Sequence, residues 1–183
     1  MEEIRIGNTR LQFVVGDITA QDTDAVVNAA NNALAPGGGV AGAIHRAAGK
    51  GLWEECSKLG GCKTGEAKIT SGHRLPNRYV IHTVGPVYRG SADDPVLLRS
   101  CYLRSLELAD EHGIKSIAFP ALSTGIFGYP ISEAARVAIL AFRDYLSGDT
   151  AIELVRMVLY DRNALEAHTE ALKALIDEGE ITA

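Results

Sequence analysis

Cysteine is scarce in this chain, and so are aromatic residues and positive charge. Cys56, Cys62 and Cys101 are odd in number and show no C-x-x-C spacing. That pattern excludes a disulfide framework, offers no zinc site, and fits free thiols in a reducing compartment. Lys and Arg total 18 against 23 Asp and Glu, a formal charge of −5. Broad nucleic-acid or anionic-membrane binding draws on basic patches, so neither is expected. No apolar run approaches the roughly 18 residues of a membrane span. The start, Met1-Glu-Glu-Ile-Arg5, lacks the basic-then-apolar order of a signal peptide. A cytoplasmic location follows as the expectation. Repeats, low-complexity tracts and linkers are absent too, so residues 1–183 read as a single domain, expected to be a monomer.

What is present alternates. Strand patterns occupy Leu11–Val15, Ala25–Asn28, Glu66–Thr70, Tyr79–Val84, Ser116–Phe119 and Val155–Tyr160, and Ile4–Ile6 could pair beside the first. Helical patterns fall at Val40–Ala48, Leu52–Leu59, Asp94–His112, Ser132–Leu146 and Asn163–Ile176. Ser132 is a plausible N-cap, and Leu165, Leu172 and Ile176 should face inward on the last helix. Strands alternating with helices predict an α/β domain with a largely parallel sheet and helices on both faces. Ligands of such sheets sit at the carboxyl ends of the strands. The segments leaving those ends are 16–24, 28–39, 120–130 and 160–164.

Two of those segments carry the chemistry. Asn28-Ala-Ala-Asn31-Asn32 leads into Gly37-Gly38-Gly39-Val40-Ala41-Gly42, between an apolar strand and an apolar helix. Glycines let backbone approach a phosphate, and the helix start adds a positive dipole end. Gly37, Gly39 and Gly42 also fit G-x-G-x-x-G, but the acidic residue expected about 20 positions on is missing, and Asn31–Pro36 intervene before the turn. A Walker A loop fails because no Lys-Ser/Thr follows the glycines. A glycine helix start that merely packs against the sheet is the bland alternative. The second loop, Pro120-Ala-Leu-Ser123-Thr124-Gly125-Ile126-Phe127-Gly128, weighs against it. Neither loop contains Lys or Arg. Two neutral, glycine-rich loops suit a diphosphate held by backbone N–H groups, with Phe127 covering a ligand face.

Taken with Gly16-Asp17-Ile18-Thr19, Ile81-His-Thr-Val-Gly85-Pro86 and Val158-Leu-Tyr160-Asp161, these segments resemble macro domains in order and spacing over nearly the whole chain. The pattern is nearest to stand-alone bacterial or archaeal and to viral members. The resemblance implies a three-layer α/β/α fold with a mostly parallel, mixed sheet of about six strands. It implies ADP-ribose or ADP-ribosylated substrates as partners, with no cofactor and no metal. By the same resemblance Asp17 accepts from the adenine amino group beside the Ile18 backbone, and Tyr160 stacks on adenine. Gly38, Gly39 and Val40 contact one phosphate. Ser123, Thr124, Gly125, Ile126 and Phe127 enclose the pyrophosphate and distal ribose. Asn31 faces the distal ribose hydroxyls and is the catalytic candidate, whereas Asn28 supports the loop.

His82 reads as a core histidine, His45 as exposed, and Trp53 and Cys56 as helix packing. Family members with strong mono-ADP-ribosyl hydrolase patterns carry Asp where this chain has Ala41. That departure removes a candidate general base. The expectation is hydrolysis of ADP-ribosyl bonds or related esters at modest rate. The alternatives are a non-catalytic ADP-ribose reader and a phosphatase acting on ADP-ribose 1″-phosphate.

Overall fold

The computed structural model describes residues 2–182. Seven strands form one sheet: β1 (Glu2–Ile6), β2 (Thr9–Val15), β3 (Ala25–Ala29), β4 (Ala67–Ser71), β5 (Tyr79–Thr83), β6 (Ser116–Phe119) and β7 (Leu154–Leu159). Their order is β1-β2-β7-β6-β3-β5-β4. The five inner strands run parallel, and β1 and β4 close the edges antiparallel. The sheet therefore has one strand more than the six expected. The addition is β1, whose alternating Glu3, Ile4, Arg5 and Ile6 suit an edge half-open to water.

Parallel strands are covered on both faces, which is why Ala25, Val26 and Val27 are all fully buried. Three helices, α3 (Asp93–Glu111), α4 (Ile131–Leu146) and α5 (Arg162–Asp177), cover one face. Tyr102, Phe119 and Phe142 interlock there with ring centroids 5.2–5.3 Å apart. The other face carries α1 (Gly39–Ala48) and α2 (Lys50–Cys56), with Ile44, Ala48, Leu52 and Cys56 packed on Val26, Val80 and Ala118. Because all five inner strands point one way, their carboxyl ends share one rim of the sheet.

Several local expectations need correction. Pro130, not Ser132, precedes the first turn of α4, and Ser132 lies inside the helix. The inward stripe of α5 is Ala164, His168, Leu172 and Leu175, leaving Leu165 and Ile176 half-buried. His168 takes its inward place because Nδ1 meets the Ala164 carbonyl at 2.8 Å and the ring lies edge-on to Phe13. Helix α2 ends at Cys56, since Leu59 lies in the turns leading to Gly60 and Gly61. Trp53 is exposed, although Cys56 is buried as expected.

The layer under α1 and α2 contains a buried polar chain. Asn28 Nδ2 lies 3.1 Å from His82 Nδ1, and His82 Nε2 lies 2.9 Å from Thr70 Oγ1. An amide nitrogen can only donate, so Nδ1 accepts, Nε2 carries the proton, and Thr70 passes its own proton to the Ser71 carbonyl. His45 is buried, not exposed, and burial pushes its basicity down. Desolvation and the neighbouring His45 push His82 down to about 3. Burial lowers His168 in the same direction.

Histidines held neutral in the fold leave the unfolded chain binding more protons below its ordinary value of 6.5. Stability is therefore full above that pH and is lost as pH falls towards 3. Urea unfolding should show a loss on the order of 2 kcal/mol from His82 alone between pH 7 and 4.5. His82→Gln should make that slope shallower. A stability that is flat over this interval contradicts a neutral buried His82.

Candidate functional site

The rim is built from four segments leaving adjacent strands. Asp17 follows β2, Tyr160 follows β7, the loop 120–130 follows β6, and the run from Asn28 to Gly39 follows β3. From β2 to β3 is three inter-strand spacings, roughly 14 Å, the reach of an extended nucleoside diphosphate. The Gly16 amide donates to the Leu159 carbonyl at 3.1 Å, which sets Asp17 and Tyr160 side by side. Tyr160 is 93% exposed, a large aromatic ring with no protein face to cover it.

Asp17 caps a short 3-10 turn. Its Oδ1 accepts from the Thr19 amide at 2.8 Å and the Thr19 hydroxyl at 2.7 Å. Those two bonds hold the carboxyl below its ordinary value, so it is ionised at neutral pH. Oδ2 makes no bond among the described residues and stays open as an acceptor. The turn thus uses one oxygen and leaves the other free. Ile18 is buried beneath them.

Helix α1 starts without a side-chain cap, because Gly38 occupies the cap position. The Gly42 amide donates to the Gly38 carbonyl at 3.1 Å. The amides of Gly39, Val40 and Ala41 therefore have no helical acceptor behind them. Gly39 sits at φ +56°, and a Cβ there would meet nothing within 4 Å. The left-handed backbone requires glycine, and the space in front of it is free. Gly42 is required for another reason: a Cβ there would run into the Gly37 carbonyl. The Arg46 guanidinium folds back to within 3.0 Å of the same spot.

Asn31 shapes the loop before this helix. Its Nδ2 donates to the Ala35 carbonyl and its Oδ1 accepts from the Ala35 amide, both at 2.9 Å. One amide hydrogen and one lone pair remain for a ligand. The loop-supporting bonds expected of Asn28 are made by Asn31. Asn28 is buried, its amide holds His82, and its Oδ1 has no partner among the described residues.

Across from α1, the loop after β6 is tightly folded. Tyr129 N donates to the Ser123 carbonyl, Gly128 N to Gly125, and Tyr88 N to Phe127. Thr124 Oγ1 turns inward to the Ala121 carbonyl at 2.8 Å. The amides of Gly125, Ile126 and Phe127 make no protein hydrogen bond among the described residues. Ser123 holds φ +65°, buried, with its hydroxyl unpartnered. A non-glycine residue in that region with an orphaned hydroxyl is a strained, polar feature of the kind that collects at functional sites. The hydroxyl fits only because Gly85 lacks a Cβ. The sequence shows Gly85 but nothing of this packing. Phe127 is half-buried, whereas Ile126 is wholly exposed.

The rim thus offers two sets of free amides between an exposed aromatic ring and a loop-bound asparagine. It is suited to an anion held by dipoles, not by charged side chains. Binding of ADP-ribose, the ligand implied by the sequence, should depend only weakly on sodium chloride. Gly39→Val should lower affinity more than tenfold, because a branched side chain fills the free space and strains the backbone by about 1–2 kcal/mol. Calorimetry at low and high salt tests both. A steep salt slope, or a variant that binds normally, contradicts backbone capture.

Comparison with known proteins agrees with this geometry. Residues 27–138 match the Macro domain family model. A macro domain-containing protein of Methanosarcina mazei is 50% identical over 168 residues, 91% of this chain and 90% of that protein. The protein named ADP-ribose glycohydrolase MACROD1 of Mus musculus is 55% identical over 141 residues, 76% of this chain and 44% of that longer one. The Oceanobacillus iheyensis macrodomain with ADP superposes with a TM-score of 0.93 at 42% identity, covering 97% of each chain. The Trypanosoma brucei macrodomain in complex with ADP-ribose gives 0.83 at 40% identity, covering 88% of this chain and 68% of that one. With its family pattern, its relatives and its seven-stranded sheet in agreement, this chain belongs to the macro domain family.

Proposed function

We propose that this chain binds ADP-ribose across the rim and hydrolyses ADP-ribosyl groups from their acceptors. The observation that carries the reading is the pair of facing loops with free amides and no Lys or Arg of their own, set beside the exposed Tyr160 and the open oxygen of Asp17. Solved relatives hold ADP or ADP-ribose, and relatives at 53–55% identity are named ADP-ribose glycohydrolases. In this reading adenine stacks on Tyr160 and donates to Asp17. The phosphates lie over Gly38–Val40 and under Ser123–Phe127, and the distal ribose meets the free half of the Asn31 amide. The protein acts as a single-domain monomer in a reducing compartment, where its three buried thiols stay free.

Hydrolysis breaks the bond between C1″ and the acceptor, forms a bond from C1″ to water oxygen, and returns the water proton to the departing acceptor. An amide does not take up a proton at neutral pH, so Asn31 orients and the substrate's own phosphate assists. Position 41 is where a carboxylate would serve. Ala41 is buried in the first turn of α1, and it and the Asn31 amide flank the same face of Gly37. Without that group, proton removal from the attacking water limits the rate.

Incubation with a mono-ADP-ribosylated protein should release ADP-ribose over many turnovers. Ala41→Asp should raise the rate about tenfold or more, the scale of a positioned general base, with little change in ADP-ribose affinity. Binding without release by the wild type would establish a reader instead. An Ala41→Asp protein that is no faster would show that the missing carboxylate is not limiting.

A further inference from the structure

Past the Asn31 end of the rim, towards edge strand β4, lies a groove of about 490 Å³ lined by Asn32, Gly60, Gly61, Lys63, Glu66 and Lys68 among others. It continues the line that runs Asp17, Tyr160, loop 120–130, Asn31. Resting on the reading that the distal ribose lies at Asn31, whatever is attached to that ribose leaves the rim in this direction. We propose that the groove seats the acceptor polypeptide of the ADP-ribosylated substrate and favours acidic residues flanking the modified one.

Charge and fixed geometry support that occupant. Lys63 and Lys68 line the groove against the single acid Glu66, and Lys58 lies nearby in sequence, in a protein of net −5. None of the three forms an ion pair among the described residues, where the chain's arginines supply the cation of every Lys or Arg ion pair found. Lys68 Nζ is pinned at 2.7 Å by the Leu59 carbonyl, which leaves two ammonium hydrogens directed elsewhere. Lys63 is exposed. The groove wall is also stitched to the rim. Cys62 N donates to the Asn32 carbonyl at 2.8 Å, and Asn32 Nδ2 returns a bond to the Cys62 carbonyl at 2.9 Å. Gly61 passes the Asn32 carbonyl so closely that a Cβ would sit 2.7 Å from its oxygen, and its φ of +76° needs glycine as well. The backbone carrying Lys63 therefore holds a fixed position relative to Asn31, the neighbour of Asn32, and Lys68 is held through its own bond to Leu59.

Two synthetic peptides test this, each carrying ADP-ribose through a hydrolysis-resistant linkage at C1″, one flanked by aspartates and the other by lysines. Calorimetry at low salt should give the aspartate peptide an affinity about three- to tenfold higher, the range of exposed charge contacts. The preference should vanish in Lys63→Glu and shrink in Lys68→Gln, while free ADP-ribose binds all three proteins alike. Equal affinities for the two peptides on the wild type, or a preference that survives both substitutions, would overturn the proposal. Failure of free ADP-ribose itself to bind would remove the underlying reading with it, and so is told apart from failure of the groove.

Discussion

The site depends on two backbones lying closer than any side chain allows. Where the Gly37 carbonyl passes Gly42, there is no room for a Cβ. That contact folds the loop after β3 back over the first turn of α1. It leaves Gly39 free to start the helix from the left-handed region, with three amides that have no helical acceptor. Asn31 closes the same loop with its paired bonds to Ala35. An amphipathic helix with an ordinary cap could cover this face of the sheet equally well. It would spend its first amides on the cap, and the anion site would be gone.

Electrostatics follow from that geometry. A protein of net −5 attracts an anion only where local dipoles outweigh the long-range field. Sheltered amides at a helix start supply partial charges that salt screens little. The same logic explains the neutral polar chain underneath. Asn28, His82 and Thr70 are linked by hydrogen bonds with protons in fixed places, so no full charge is buried below the loop. A protonated His82 would bring a buried charge without a counter-ion, at a high desolvation cost.

Much of this was legible in the sequence, for identifiable reasons. The parallel strands read clearly because burial on both faces makes them runs of apolar residues. The glycines around α1 and the loop after β6 read clearly because both combine glycines with an absence of Lys and Arg beside a strand end. Edge strand β1 was half-visible, since its alternation is short and charged. His45 reads as exposed and His168 gives no mark at all, because a polar side chain carries no burial signal. Only the helix partners show that 41, 45 and 48, and 164, 168 and 172, share a buried face. The bracket from Asn31 to Ala35 was not readable either. It needs Leu34 at φ +58°, a backbone state that sequence pattern does not announce in a leucine. The strained Ser123 above Gly85 joins residues 38 positions apart, a contact that only the tertiary fold supplies.

Backbone capture of the diphosphate is the central claim, and amide chemical shifts report it directly. Titrating labelled protein with ADP-ribose, and in parallel with adenosine, should move the amides of Gly39, Val40, Ala41, Gly125, Ile126 and Phe127 strongly with ADP-ribose alone. Adenosine should perturb only the neighbourhood of Asp17 and Tyr160. If ADP-ribose leaves the amides at the start of α1 and in the loop after β6 unmoved, and instead shifts residues elsewhere on the surface, the account of this site is wrong.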